Sequence, residues 1–306
     1  MTLVVIAGAT ATGKSDLAVA LAQKIGGQIV NADSMQLYRG MDIGTAKLPL
    51  SERGGITHHM LDVVDVSSDV TVAWYQEQAR SVIDQLLQQS IPVVVVGGTG
   101  FYIKAILDDL NFPETDPAVR ERLAQEAEEI GGSAMHERLA KLDPAAALAI
   151  PKENIRRVVR ALEVIAITGK PFTAHLPREG STRYPQALQF GLAQDRATLD
   201  QRIDLRVEKM WQAGFVREVS DLVKAGILEG KTAKAALGYS QIIAMAQGHL
   251  SESQAKDLTK LGTRQYARRQ ETWFTRDPRI TWISPEHNLH ARLRLIERTI
   301  LEGNGK

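Results

Sequence analysis

The sequence predicts an α/β fold, a parallel sheet covered by helices on both faces, and three observations carry that prediction. Within the first hundred residues, apolar runs without polar alternation ("LVVIA", "QIVNAD", "IPVVVVGGTG") are separated by stretches of helical spacing. Such runs are strands buried on both sides. The first run leads straight into "GATATGKS", Gly8 to Ser15, which fits the phosphate-loop pattern G-x-x-x-x-G-K-[ST] between a strand and a helix. From about Pro113 to Pro185 no strand-like run occurs, only helical segments. The expected architecture is a P-loop NTPase-like core over residues 1–112 and 186–306, ending in C-terminal helices, with an all-helical insertion domain over 113–185.

Each element has a local reason. "LVVIAGA" is β-branched and apolar, and Lys14 to Ile25 then places Leu17, Leu21 and Ile25 at helical spacing. "QIVNAD" is a short strand ending at Asp33, and Trp74 to Gln89 carries Ala79, Val82, Ile83 and Leu86 on one stripe. In the insertion, helices are expected over Ala118 to Glu129, Ser133 to Leu142 and Ile155 to Thr168, punctuated by "DPAA", "IPKEN" and "GKPF". "QALQFGLA" and "RITWIS" return to strand character, which resumes the core near Gln186.

Composition narrows the function classes. With 306 residues and 44% apolar content the chain can bury a full core. The absence of cysteine excludes disulfides and thiolate metal sites. No apolar run approaches the roughly 20 residues needed to cross a bilayer, and the N-terminus lacks a basic n-region, so a cytoplasmic location without membrane contact is expected. The formal charge is +1, so nucleic acid would have to be held by a local basic face.

In a P-loop, successive backbone N–H groups and the helix N-terminus form an anion cradle. Lys14 adds a point charge, and Ser15 a hydroxyl suited to Mg²⁺. A nucleotide-hydrolysing enzyme normally adds an acid at the end of a neighbouring apolar strand. Here "PVVVVGGTG" ends in Gly97, Gly98 and Thr99, and the nearest strand-end acid is Asp33 in "NADSMQLYRGMDIGTAK". Beside a P-loop, Asp33 can serve as a base or a metal carboxylate. Gln36 offers the paired donor and acceptor that match adenine, and Arg39 and Lys47 suit phosphates. The competing reading is a surface loop in which Asp33 and Ser34 cap the next helix. His58 and His59 lack a third ligand at metal spacing and are read as structural.

"GATATGKS", "NADSMQLYRGMDIGTAK", "HHMLD", "VGGTGFY", "NIRRVVRALEV", the segment from Arg196 to Met210, "ALGYSQ" and "TRQYARRQETWF" occur in that order. Together they resemble the tRNA dimethylallyltransferase (tRNA isopentenyltransferase) family over nearly the whole chain. The resemblance implies transfer of a dimethylallyl group from dimethylallyl diphosphate to N6 of adenosine-37, next to the anticodon. It implies a diphosphate held by Gly8, Ala9, Thr10, Ala11, Thr12, Gly13, Lys14 and Ser15, with Arg206 as a further contact and Mg²⁺ on Ser15. Asp33 is then the general base, with Thr10 and Lys14 beside it in catalysis, and "DSMQ" (Asp33, Ser34, Met35, Gln36) reads the adenine. Thr99 is placed at the same crevice. Arg202 and Arg206, four apart, share a helical face.

An anticodon stem-loop would also need a basic surface. Arg156, Arg157 and Arg160 lie close on one predicted helix, and Lys260, Arg264, Arg268, Arg269 and Arg276 accompany Tyr266, Trp273 and Phe274 on another. Trp273 and Phe274 are expected in the core. Three other readings remain at this stage: an adenylate isopentenyltransferase acting on free AMP, ADP or ATP, a small-molecule kinase, and a non-catalytic RNA-binding protein. The helical insertion favours tRNA over a free nucleotide, intact Lys14, Ser15 and Asp33 favour catalysis, and a monomer is expected.

Overall fold

The computed structural model describes residues 2–175 and 181–304; residues 176–180 of the predicted insertion, and residues 1, 305 and 306, lie outside the described residues. Contacts divide the chain into two compact units, 1–107 with 184–306, and 108–183.

The first unit opens with strand β1 (Leu3–Ala7), the loop of residues 8–13, and helix α1 (Lys14–Ile25). Strand β2 (Gln28–Asn31), the two-residue β3 (His58–His59), α2 (Val72–Gln88), β4 (Val93–Gly97) and α3 (Gly100–Leu107) follow. The 108–183 unit carries α4 (Pro117–Ile130), α5 (Gly132–Leu142), α6 (Pro144–Ala149) and α7 (Ile155–Thr168). The chain then returns in β5 (Leu188–Leu192), α8 (Arg196–Gln212), α9 (Phe215–Lys224), α10 (Tyr239–Ala246), α11 (Glu252–Phe274), β6 (Ile280–Ile283) and α12 (Leu289–Asn304).

Six strands form one sheet in the order β3-β2-β4-β1-β5-β6, every pairing parallel. The period of two explains why continuous apolar runs are needed. Val4 and Ile6 face a cluster with α1 residues Leu17 and Leu21 and α12 residue Ile296, whereas Leu3, Val5 and Ala7 face Ile83, Ile103 and Phe215. All five β1 residues are buried, and each fully buried Val, Leu or Ile contributes about 1.5–3 kcal/mol. β1 sits between β4 and β5, so the loop after it opens at the carboxyl edge of the sheet beside the β4 and β2 ends. In open α/β sheets that edge is where ligands bind.

The 108–183 unit has its own core, which includes Leu123, Met135, Leu139, Val158 and Leu162. Its Asp-Pro pairs start helices. Asp116 accepts the N–H groups of Ala118 and Val119, and Pro117 follows at a position where no N–H is needed.

Candidate active site

The phosphate loop is built on Ala9. Its carbonyl accepts the Thr12 hydroxyl at 2.8 Å and the Lys14 ammonium at 2.6 Å, which folds the loop around its own backbone. Ala11 holds a left-handed φ of 63° without being glycine, a conformation that typically costs about 1–3 kcal/mol and clusters at functional sites. Among the described residues, the N–H groups of Ala11, Thr12, Gly13, Lys14 and Ser15 find no acceptor, leaving donors for an anion. Thr12 is buried and its hydroxyl is committed to the loop, so Thr12 can offer a ligand only its N–H. The Thr10 N–H is committed as well, to Gln270 Oε1 at 2.9 Å; the Thr10 contact expected from sequence therefore rests on its side chain.

Asp33 lies two residues beyond β2. Its Oδ1 accepts the Met35 N–H at 2.9 Å, and its own N–H donates to Asn31 Oδ1 at 3.2 Å. The next helical turn starts only at Leu50, so the reading of Asp33 and Ser34 as a helix cap is set aside. The carboxylate is half-buried, and its charge reaches Lys14, Arg206, Tyr75, Tyr102 and Tyr266. Burial pushes the Lys14 ammonium down to about 8, with Asp33 opposing the shift and Arg206 adding to it. Desolvation also lowers Arg206, again against Asp33. Burial pushes the hydroxyls of Tyr75, Tyr102 and Tyr266 up, and the Asp33 charge adds to each shift. Two cations, one carboxylate and three neutral phenols thus share one crevice.

The neighbouring loop is tied in from two sides. Thr99, just after β4, donates its N–H to Ala32 O, and its hydroxyl oxygen accepts the Ser34 N–H at 3.2 Å. Gln36 donates from Nε2 to the Thr45 carbonyl at 3.1 Å, and an Arg206 guanidinium nitrogen donates to the same oxygen at 3.2 Å. A pocket beside Ser15 is lined by Gln36, Asn31 and His58 with apolar walls from Ile29, Leu48, Leu61 and Val96. His58 Nδ1–H donates to the Ile56 carbonyl at 2.9 Å, and His59 Nε2–H donates to Gln28 Oε1 at 2.7 Å. Among the described residues no group of three or more His, Asp or Glu gathers to hold a metal.

Sequence reasoning missed Gln270. It is buried on α11 and spans the P-loop and β4, accepting from Thr10 N–H and donating to the Gly98 carbonyl at 2.8 Å. A Cβ at Gly98 would lie 2.2 Å from Gln270 Nε2, so any side chain there would push the Gln270 amide off its present position. The Tyr266 hydroxyl, one turn earlier, lies beside Thr99 and Gln270. Gln270 lies within "TRQYARRQETWF", but nothing local shows its role, because its partners are 260 and 172 residues away.

The predicted basic residues divide by partner. Arg264 pairs with both Asp204 oxygens at 2.7 Å, while Arg268 is exposed and 3.7 Å from Asp200. Arg160 is held by buried Glu163 at 3.0 Å and by the carbonyls of Pro113 and Glu114, whereas Arg156 and Arg157 are exposed. Arg202 is exposed and bonded to Gln194, unlike half-buried Arg206. Lys47 is buried between Asp42 and Asp62 and is unavailable to a phosphate; Arg39 pairs with Asp65. One core assignment is corrected. Phe274 is buried, but Trp273 is 44% exposed and stands edge-on to exposed Phe101; adjacent helical positions point about 100° apart, so the two side chains need not share a face.

A parallel sheet with a phosphate cradle at its carboxyl edge, faced by a carboxylate from the next strand, defines a P-loop enzyme that departs from the hydrolytic pattern. The IPP transferase family model matches residues 36–277, and the chain belongs to that family. It is 51% identical over 303 residues to the tRNA dimethylallyltransferase of Streptomyces griseus, covering 97% of this chain and 96% of that one. It is 55% identical over 287 residues to the tRNA dimethylallyltransferase of Thermobifida fusca, covering 92% and 89%. The solved tRNA isopentenylpyrophosphate transferase of Bacillus halodurans superposes with a TM-score of 0.72 at 34% identity, covering 99% and 96%. A eukaryotic dimethylallyltransferase acting on tRNA gives 0.79 at 27% identity, covering 93% and 74%.

Proposed function

We propose that this protein transfers the dimethylallyl group of dimethylallyl diphosphate to N6 of adenosine-37 in the anticodon loop of tRNA and releases diphosphate. The observation that carries the proposal is the confrontation of the Lys14 cradle with Asp33 and Gln36, in a core whose central strand β4 ends without an acid. Its close relatives bear the name of that activity.

In this reading the N6 lone pair attacks C1 of the dimethylallyl group, the C1–O bond breaks, and the electron pair leaves with the diphosphate. Asp33 takes the N6 proton, a role typically worth about 10²–10⁴-fold. The free N–H groups of residues 11–15, with Lys14 and Arg206, stabilise charge on the leaving group. The carbonyl of Thr45 can only accept, so it turns the Gln36 amide nitrogen toward itself and leaves Oε1 for the adenine amino group. The base must leave its stack to reach Asp33. With no carboxylate cluster among the described residues, the half-buried Ser15 hydroxyl would hold Mg²⁺ together with the donor's own phosphate oxygens, as suits an ion that keeps few protein ligands. When bound, Mg²⁺ supplies further positive charge to the leaving diphosphate.

The test uses Mg²⁺ and labelled dimethylallyl diphosphate with unmodified tRNA or, separately, AMP. Label is expected in tRNA. Label entering AMP alone overturns the proposal in favour of adenylate prenylation, and ATP consumption without prenyl transfer overturns it in favour of a kinase.

A further inference from the structure

Arg206 and Gln36 reach the site from different parts of the chain, yet both end on one atom, the Thr45 carbonyl oxygen. A backbone carbonyl can aim two side chains only if its own turn is held. The turn of residues 42–45 belongs to no helix or strand, and its own backbone closes it only on the far side, with Ala46 N–H donating to Ile43 O and Lys47 N–H to Asp42 O, both at 3.0 Å. Its side chains contribute only locally: the Thr45 hydroxyl donates to Met41 O at 2.6 Å, and Asp42 pairs with Lys47.

The N–H groups on the near side of the turn are held by α9. Glu218 Oε2 accepts the N–H groups of Asp42 and Ile43 at 3.2 and 2.7 Å. Its Oε1 accepts the Gly44 N–H at 3.2 Å and the Tyr239 hydroxyl at 2.6 Å. Four donors therefore converge on one half-buried carboxylate. The fit also constrains the turn, since a Cβ on Gly44 would lie 2.3 Å from the Phe215 ring and 2.5 Å from the Tyr239 ring.

We propose that Glu218 is a positioning residue for prenyl transfer: it fixes the 42–45 turn, and through the Thr45 carbonyl it aims Arg206 at the diphosphate and Gln36 at the adenine. The proposal rests on the reading of the reaction given above and adds to it a residue that touches neither substrate. A carboxylate is required, because an amide has one acceptor oxygen and its nitrogen would face two of the four donors. Tyr239 is the fourth donor, and burial together with the Glu218 charge keeps its hydroxyl protonated.

The test compares the full-length wild type with Glu218→Gln, Tyr239→Phe and Glu218→Asp, each also made with Arg206→Ala, by melting curves and by kcat and KM for donor and tRNA. A misplacement of about 1 Å costs on the order of 10²-fold, so E218Q should lower kcat by roughly 10- to 100-fold while both KM values move less than about threefold. Tyr239→Phe removes one donor and leaves the charge, so its loss should be smaller. In the Arg206→Ala background, E218Q should cost clearly less than in the wild type, because only the Gln36 arm is left to misplace. An unchanged kcat in folded E218Q, or equal losses in both backgrounds, overturns the inference. If E218Q does not fold, the same cycle with Y239F and E218D decides, non-additive losses supporting the role and additive ones overturning it. A wild type without prenyl transfer is a different result, which sinks the reading of the reaction.

Discussion

Lys14 is the side chain whose chemistry the fold changes most. In solution an ammonium of this kind stays charged to about pH 10; here burial lowers its pKa to about 8. A base with a lowered pKa is charged below that value and neutral above it. The kcat/KM for the donor reports the free enzyme, so it should be level below pH 8 and fall about tenfold per unit above it. Lys14→Arg keeps its charge throughout that range and should abolish the descending limb while lowering the absolute rate. A limb that persists in Lys14→Arg would assign the titration to another group. Asp33→Asn adds a sharper test, because the Asp33 charge now opposes the Lys14 shift. Removing it should cut kcat by about 10²–10⁴-fold and also move the limb to lower pH. Normal single-turnover chemistry in Asp33→Asn, measured by rapid quench, would show that the proton goes elsewhere.

Helix α11 serves two purposes along its length, and its substitutions should separate accordingly. Gln270 closes the P-loop against β4. In Gln270→Leu the buried Gly98 carbonyl and the half-buried Thr10 N–H lose their partners, which should cost about 2 kcal/mol of stability and raise the donor KM with little change in the tRNA KM. Arg264 and Arg268 look alike in the sequence but not in the fold. Arg264 neutralises Asp204, so Arg264→Ala should lower the melting temperature. Exposed Arg268 should instead weaken tRNA binding and reduce the slope of log K against log salt by about one. A salt slope unchanged in Arg268→Ala would remove it from the RNA surface. The periodicity of this segment made the helix and its basic character legible. It could not separate a tightly paired arginine from a loosely paired one, because Asp204 and Asp200 lie on α8, some 60 residues away in sequence.

At the scale of the molecule, what the sequence made legible was what is local. The apolar runs gave β1, β2, β4, β5 and β6, and helix α1 falls over Lys14–Ile25 as its spacing predicts. The two-residue strand β3 is too short to show a period, and α3 begins at a glycine directly after β4, where composition reads as a loop. The roles of Gln270 and Glu218 were not legible because their work is done on partners far along the chain. The 108–183 unit gives the largest single test of how the molecule divides its labour. Its two ends run side by side, with Asp108 bridged to Thr182 and Ser181 donating to Asp109 at 2.6 Å, so a short linker can replace it without stretching the core. The cradle, Asp33, Gln36 and Gln270 all belong to the other unit. A chain with residues 108–183 replaced by a Gly-Ser linker should therefore bind dimethylallyl diphosphate with wild-type affinity by calorimetry. Its kcat/KM for tRNA should fall by about 10²-fold or more, if a contact on this scale contributes at least about 2.7 kcal/mol to the transition state. In the intact protein, replacing exposed Arg156 and Arg157 by alanine should reproduce part of that loss as a higher tRNA KM. Modification of tRNA at the wild-type rate by the shortened chain would show that the core alone recognises the anticodon loop.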